Sequence, residues 1–318
     1  MFGQIMNVAF IFPGQGSQTV GMGKELAEVS PVAREVFEEV DEVLNQPLSR
    51  IMFNGPIDDL TLTANAQPAL MAVSMAIMRI LEREGGLKLS SIAKFVAGHS
   101  LGEYSALAAA KSFSIANAAL ILKIRGTAMQ DAVPVGDGTM AAILGIDMDV
   151  ATAIAAEASE GDICSIANDN AVGQIVFSGT TSAITRAIEI AKRKGAKRSM
   201  LLPVSAPFHC AMMASAADVM AKELATIVIG EPSVPLVANV TANDKTDPNE
   251  IRELLVQQVT GRVRWRESVL FMKDNGVDTF VEVGTGKVLS GLTRRIDRGL
   301  ISTSIQGPND IDGFLGSI

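Results

Sequence analysis

The alternation of apolar and polar positions along the chain predicts strands and helices that follow one another. Short apolar segments predict buried strands of a parallel sheet, because such strands are covered on both faces. These segments are 7–12, 92–96, 236–240 and 279–283. Longer segments with apolar residues three and four positions apart predict helices. These are 31–44, 65–84, 114–131, 211–225, 248–260, 265–273 and 288–296. The alternation of the two kinds of segment is typical of an α/β fold.

The pattern changes between Gly138 and Pro203, where strands outnumber helices. The predicted order is strand, helix, strand, strand, helix, strand, at 139–144, 149–158, 163–168, 174–178, 181–194 and 198–204. This βαββαβ order is that of a ferredoxin-like unit. We therefore expect a large α/β domain formed by residues 1–133 and 204–318, with a small ferredoxin-like domain inserted at 134–203.

The first candidate for chemistry is the G-x-S-x-G sequence from Gly98 to Gly102. It lies between the predicted strand 92–96 and a segment rich in helix-forming residues, which is the setting of a nucleophile elbow. The two glycines allow strand and helix to approach closely, and the turn exposes the hydroxyl of Ser100. The N–H of Leu101, at the start of the helix, is placed to donate to an oxyanion.

A nucleophilic serine needs a base, and the chain has only two histidines, His99 and His209. His99 is adjacent to Ser100 in the turn, so we expect it to be a packed, hydrogen-bonded residue. His209 lies in a loop before a predicted helix and is the better candidate. The acid of a triad is left open, because none of the aspartates between serine and histidine has a distinctive setting. These are Asp131, Asp147, Asp149, Asp162 and Asp169.

Arg125 is a charge on an apolar helix face, which it shares with Ile121, Leu122 and Met129. A guanidinium does not lose its proton, so a buried one needs an anionic partner. That partner is either an internal carboxylate or the carboxylate of a substrate, and both alternatives stay open at this point.

Composition and charge exclude several classes of function. The net charge of −8 argues against general nucleic-acid binding. The chain has no charge-free apolar run of membrane-spanning length, and residues 1–7 lack the basic region of a signal peptide. Cys164 and Cys210 form no metal-binding spacing and no disulfide framework, so we expect reduced, buried thiols and a cytoplasmic protein.

Six sequence blocks together resemble the malonyl-CoA:acyl carrier protein transacylase family of bacterial fatty acid synthesis. They occur in the family's order and are found at 12–18, 67–69, 98–103, 125–126, 203–209 and 282–289. The resemblance implies a large α/β domain with a hydrolase-like core. It also implies a transferase that moves malonyl from malonyl-CoA to the phosphopantetheine thiol of acyl carrier protein through a malonyl-serine intermediate.

The resemblance also implies roles for individual residues. Ser100 is similar to the family's nucleophile and His209 to its base. Gln258 falls where the family orients the histidine with a backbone carbonyl, which would explain the missing acid. Gln15 and Leu101 resemble the residues whose backbone N–H groups form the oxyanion hole.

Three further positions resemble the family's substrate-binding residues. Arg125 matches the residue that binds the malonyl carboxylate, Gln67 matches an active-site glutamine, and Phe208 should narrow the acyl pocket. The implied chemistry needs no metal or redox cofactor, and the expected assembly is a monomer. Two rival interpretations are a serine thioesterase or other hydrolase of the α/β type, and a catalytically idle docking subunit.

Overall fold

A computed structural model describes residues 7–317 of the chain. The prediction about a signal peptide at residues 1–7 falls almost entirely outside this range. The strands are β1 Val8–Phe12, β2 Ala93–Gly98, β3 Gly138–Leu144, β4 Cys164–Ala171, β5 Gln174–Thr180, β6 Arg198–Leu201, β7 Leu236–Val237, β8 Asp244–Lys245, β9 Thr279–Val283 and β10 Ile301–Ile305.

The helices occupy most of the remaining chain. They are α1 Lys24–Val29, α2 Pro31–Leu44, α3 Leu48–Asn54, α4 Ile57–Thr61, α5 Thr63–Arg83, α6 Leu89–Ile92, α7 Gly102–Ala109, α8 Ile115–Asp131, α9 Met148–Ser159, α10 Thr181–Arg193, α11 Ala214–Thr226, α12 Pro248–Thr260, α13 Trp265–Asp274, α14 Val288–Ile296 and α15 Pro308–Leu315. A 3₁₀ turn at Ala211–Met213 precedes α11, where the sequence predicted α-helix from 211 onward.

The larger sheet has the strand order β10-β9-β1-β2-β7-β8 and is parallel except for β8. Strand β1 lies between β9 and β2, and all five of its residues are buried, as its continuous apolar sequence predicted. The predicted strand at 236–240 is wrong in length, since β7 ends at Val237 and a turn follows. Strand β10 was not predicted, because its three central residues, Ser302, Thr303 and Ser304, are polar and only its two ends are isoleucine.

Helices cover both faces of the larger sheet. Helix α5 is long and apolar enough to cross a membrane, but 89% of its most hydrophobic window is buried inside the protein. It packs against α2, α7 and α8 and is a core helix. The starts of α2 and α8 follow their sequence signals: the Ser30 and Ser114 hydroxyls accept hydrogen bonds from the N–H groups of Ala33 and Asn117.

The smaller sheet is antiparallel, with the order β4-β5-β3-β6. Its elements follow one another as βαββαβ, so the predicted ferredoxin-like order is confirmed. Helices α9 and α10 pack on it through a core of small and branched apolar side chains. All of its strands lie within the predicted insertion at 134–203, whose exact boundaries stay a prediction.

The two sheets are joined close to the nucleophile. Val263, in the loop before α13, exchanges main-chain hydrogen bonds with β4: its N–H donates to Ala167 and its carbonyl accepts from Asp169. The buried Asp169 carboxylate also pairs with Arg266 at the start of α13. The carboxyl ends of β1 and β2 open toward this junction, which is where α/β sheets bind ligands.

Candidate active site

The turn at Ser100 has the backbone of a nucleophile elbow. Strand β2 ends at Gly98, α7 begins at Gly102, and Ser100 between them has the left-handed φ of 54°. A Cβ atom on Gly98 would lie 1.9 Å from the backbone of Gly102, and one on Gly102 would lie 2.2 Å from the carbonyl oxygen of Phe12. Only glycine fits at either position, so the close approach expected of the G-x-S-x-G sequence is present.

His209 forms hydrogen bonds through both ring nitrogens. Its Nε2 lies 2.8 Å from Ser100 Oγ, and its Nδ1 lies 2.8 Å from the carbonyl oxygen of Gln258. A carbonyl can only accept, so Nδ1 carries the proton and Nε2 accepts from the serine hydroxyl. Burial, and then the charge of Arg125, lower the pKa of His209 to about 3, so the ring is neutral near pH 7.

The partner of His209 Nδ1 is a main-chain group rather than a carboxylate. Gln258 is in the last turn of α12. The final carbonyls of a helix receive no hydrogen bond from a helical N–H, so they are free to accept one from another donor. The negative end of the helix dipole adds to the attraction for an N–H donor. Asp169, one of the aspartates considered above, is instead paired with Arg266.

Arg125 reaches the nucleophile from α8. Its Nη1 donates to Gln67 Oε1 at 2.7 Å, and its Nη2 donates to Gln258 Oε1 at 2.8 Å and to Ser100 Oγ at 3.1 Å. The guanidinium carbon lies 5.6 Å from the centre of the Tyr104 ring, and burial lowers the pKa of the guanidinium. Within residues 7–317, no carboxylate accepts a hydrogen bond from Arg125. The buried Glu103 carboxylate acts on the guanidinium through its charge alone, so no direct internal ion pair is formed.

A cavity of about 520 Å³ opens in front of Ser100. Its polar wall includes Gln15, Gln67, Arg125 and His209. Its apolar wall is formed by Leu101, Met129, Met140, Val176, Leu202, Val204 and Phe208. As far as the chain is described, the N–H groups of Gln15 and Leu101 donate no hydrogen bond within the protein. Both are thus open to a ligand.

Two residues near the nucleophile were missed by sequence reasoning. The side chain of Asn239, just after β7, accepts from the N–H of Ser100 at 2.8 Å and donates to the carbonyl of Gly98 at 2.7 Å. The carboxylate of Glu103 accepts from the N–H of Asn239 and from Gln258 Nε2. Burial raises the pKa of Glu103 to about 7, against the opposing effect of these hydrogen bonds and of Arg125. Only the position of Glu103 directly after the elbow could have indicated it.

His99 lines the cavity but is held by packing and a hydrogen bond, and Cys210 is a buried thiol. His99 Nε2 lies 2.8 Å from Asn170 Oδ1, and its ring packs 5.7 Å from that of Trp265, as predicted for a packed histidine. Cys210 Sγ donates to the carbonyl of Pro207, and burial raises the pKa of the thiol. A thiol held in its protonated form is a poor nucleophile.

The sequence and the structure both match known acyltransferases. The family model for the acyl transferase domain matches residues 9–301. A crystal structure of acyl-carrier-protein S-malonyltransferase from Bartonella henselae is 54% identical, with a TM-score of 0.96, over 98% of this chain and 99% of the other.

Two further relatives agree with these matches. Malonyl CoA-acyl carrier protein transacylase from Bacillus subtilis is 44% identical over 306 residues, which is 96% of this chain and 95% of that protein. A malonyl-transacylase solved in complex with a type II PKS acyl-carrier protein is 40% identical, with a TM-score of 0.94, over 98% of this chain and 99% of the other.

Proposed function

The chain belongs to the acyl transferase domain family, and from this membership and the geometry of its cavity we infer that it transfers malonyl from malonyl-CoA to acyl carrier protein. One observation carries the inference. A serine on an elbow has a neutral histidine 2.8 Å from its hydroxyl and a buried guanidinium 3.1 Å from the same oxygen. A nucleophile and a cation that can bind a carboxylate thus face one cavity.

The first half of the proposed reaction acylates the enzyme. His209 Nε2 takes the proton of the Ser100 hydroxyl as its oxygen attacks the thioester carbonyl. The free N–H groups of Gln15 and Leu101 stabilise the oxyanion of the tetrahedral intermediate. The intermediate collapses by breaking the carbon–sulfur bond, and the proton on His209 passes to the sulfur of coenzyme A. The products are malonyl-Ser100 and free coenzyme A.

The second half reverses these steps with another thiol. The phosphopantetheine thiol of the carrier protein gives its proton to His209 and attacks the malonyl ester. The same N–H groups bind the second oxyanion, and Ser100 leaves with the proton from His209. Each step moves only a proton and an acyl group between Ser100, His209 and the two substrate thiols, so the proposed chemistry needs no metal or redox cofactor.

Arg125 provides selection for malonyl in this proposal. A substrate carboxylate gives the buried guanidinium an anionic partner, and hydrogen bonds between two opposite charges are stronger than those to neutral oxygens. Gln67 fixes the other side of the guanidinium. Phe208, buried at the cavity wall, limits the space beside the carbon between the two malonyl carbonyls, and so disfavours branched acyl groups.

Neither rival interpretation is favoured. A hydrolase of the α/β type uses a carboxylate beside its histidine, whereas His209 is bonded to a main-chain carbonyl. A docking subunit would have no need for a hydrogen-bonded serine and histidine. We further propose that the enzyme acts as a monomer in the cytoplasm, which light scattering and cell fractionation test.

Intact-protein mass spectrometry tests the proposed function directly. After brief exposure to malonyl-CoA, the protein should gain one malonyl group, and peptide mapping should locate it on Ser100. Adding carrier protein with a free phosphopantetheine thiol should move the group to that thiol. Ser100→Ala should gain no adduct, whereas Ser105→Ala, in the first turn of α7, should react normally. An adduct on Cys210, or loss of the group to water without transfer, would contradict the proposal.

A further inference from the structure

One buried carboxylate beside the nucleophile takes no part in the steps above. Glu103 lies in the first turn of α7 and is only 1% exposed. Its Oε2 accepts from the N–H of Asn239 at 3.1 Å and from Gln258 Nε2 at 2.8 Å. Both donors belong to residues that contact the catalytic groups: Asn239 is hydrogen-bonded to the N–H of Ser100, and Gln258 is hydrogen-bonded to His209.

Asn239 fixes the strained turn. Its side chain bonds to the backbone on both sides of His99, accepting from the N–H of Ser100 and donating to the carbonyl of Gly98. A left-handed φ at a serine is unfavourable unless its surroundings enforce it. The contact from Glu103 to the main-chain N–H of Asn239 anchors the residue that enforces it.

Gln258 connects the three groups proposed to act on the substrate. Its main-chain carbonyl accepts from His209 Nδ1, its Oε1 accepts from Arg125, and its Nε2 donates to the carbonyl of Ser100 at 3.0 Å. Glu103 accepts from the same Nε2. Together with the Ser100 carbonyl, the carboxylate keeps the nitrogen of the Gln258 amide toward the elbow and its oxygen toward Arg125.

We propose that Glu103 is a positioning residue for the transfer reaction, which fixes the Ser100 turn through Asn239 and the base and guanidinium through Gln258. This inference rests on the proposed function. Burial raises the pKa of Glu103 to about 7, so the protein holds this carboxylate at an electrostatic cost. Its hydrogen bonds run to the two residues that orient the catalytic groups.

A second buried glutamate provides a matched control. Glu282, at the end of β9, is also fully buried and also accepts two hydrogen bonds, from the N–H groups of Leu289 and Ser290. Those donors belong to the start of α14, and neither lines the cavity. Like Glu103, Glu282 is thus a buried carboxylate that accepts main-chain hydrogen bonds, but its donors are away from the cavity.

The test compares Glu103→Ala, Glu103→Gln and Glu282→Ala in single-turnover acylation by malonyl-CoA, with a melting curve for each. Glu103→Ala should slow acylation at saturating malonyl-CoA by about a hundredfold, the scale expected for a small misplacement of reacting groups. The half-saturating concentration should change far less, because Arg125 keeps its bond to Gln67. Glu103→Gln keeps an acceptor oxygen and should recover most of the rate. Glu282→Ala should lower the melting temperature and leave the acylation rate unchanged.

Three results would overturn the proposal: wild-type acylation by folded Glu103→Ala, an equal loss in Glu282→Ala, or no recovery in Glu103→Gln. Should Glu103→Ala fail to fold, Glu103→Asp takes its place, because it keeps the carboxylate but withdraws it from the Asn239 N–H and from Gln258 Nε2. It should show the same slow acylation with little change in half-saturation, and wild-type acylation would overturn the proposal.

A second reagent separates this proposal from the proposed function. With diisopropyl fluorophosphate, the oxygen of Ser100 displaces fluoride at phosphorus while His209 takes the proton, so the natural acyl donor does not matter. If the wild type does not react with malonyl-CoA, the proposed function fails. The same ranking of variants with the organophosphate would still support the positioning role of Glu103, and equal rates would refute it.

Discussion

Replacing Arg125 with alanine distinguishes a residue that binds substrate from one that holds the fold. In the free protein, the guanidinium donates to three neutral oxygens at 2.7, 2.8 and 3.1 Å and to no carboxylate within residues 7–317. A malonyl carboxylate would give the guanidinium an anionic, bidentate partner, which binds it more strongly than neutral oxygens do. Losing such a bidentate contact should reduce the stabilisation of the transition state by about 2 kcal/mol or more, which lowers kcat/KM about thirtyfold.

Acetyl-CoA provides the comparison within the same variant, because its acyl group has no carboxylate. Transfer of acetyl should fall little or rise, since the substitution removes a buried cation beside a methyl group. The assay is kcat/KM for both donors, together with a melting curve. Arg266→Ala is the matched control: it breaks an ion pair with the buried Asp169 and should lower the melting temperature without changing the preference for malonyl.

A parallel loss of malonyl and acetyl transfer in Arg125→Ala, with a lower melting temperature, would refute this reasoning. Arg125 would then hold Gln67 and Gln258 in place rather than recognise the substrate.

Other substitutions test the remaining parts of the site. His209→Ala should slow acylation by about a hundredfold or more, measured by rapid quench, whereas His99→Ala should act mainly on the melting temperature. Because the pKa of His209 falls from 6.5 to about 3 on folding, its contribution to stability is complete above pH 6.5 and is lost as the pH falls toward 3. Unfolding free energies of the wild type and His209→Ala should therefore converge or cross as the pH falls, and a constant difference would contradict the shift. Gly102→Ala should destabilise the fold or abolish acylation, because its Cβ meets the Phe12 carbonyl; an unchanged melting curve and rate would contradict the close approach. Phe208→Ala should raise transfer of methylmalonyl relative to malonyl, and an unchanged ratio would remove Phe208 from the acyl pocket.

Much of the architecture is determined by local sequence. The central strands and the long helices were predicted because their apolar periodicity depends only on near neighbours. The βαββαβ order and the strand–turn–helix at Ser100 are local in the same sense. The short helices α1, α3, α4, α6 and α15 and the edge strand β10 were missed, since so few residues give little periodicity and the three central residues of β10 are all polar.

The arrangement around the nucleophile was decided by tertiary structure. Ser100 and His209 are separated by 109 positions, and no local pattern sets the 2.8 Å between them. The sequence left the partner of Arg125 open, and packing of α5, α8 and α12 brings two glutamine amides to it. Resemblance alone pointed to Gln258, because every residue has a carbonyl and only the end of α12 leaves this one free for a histidine. Glu103 and Asn239 gave no signal of their joint position, because their contact depends on where β7 ends beside the elbow. Side-chain type determined which groups are capable of the chemistry, and long-range packing determined which of them meet.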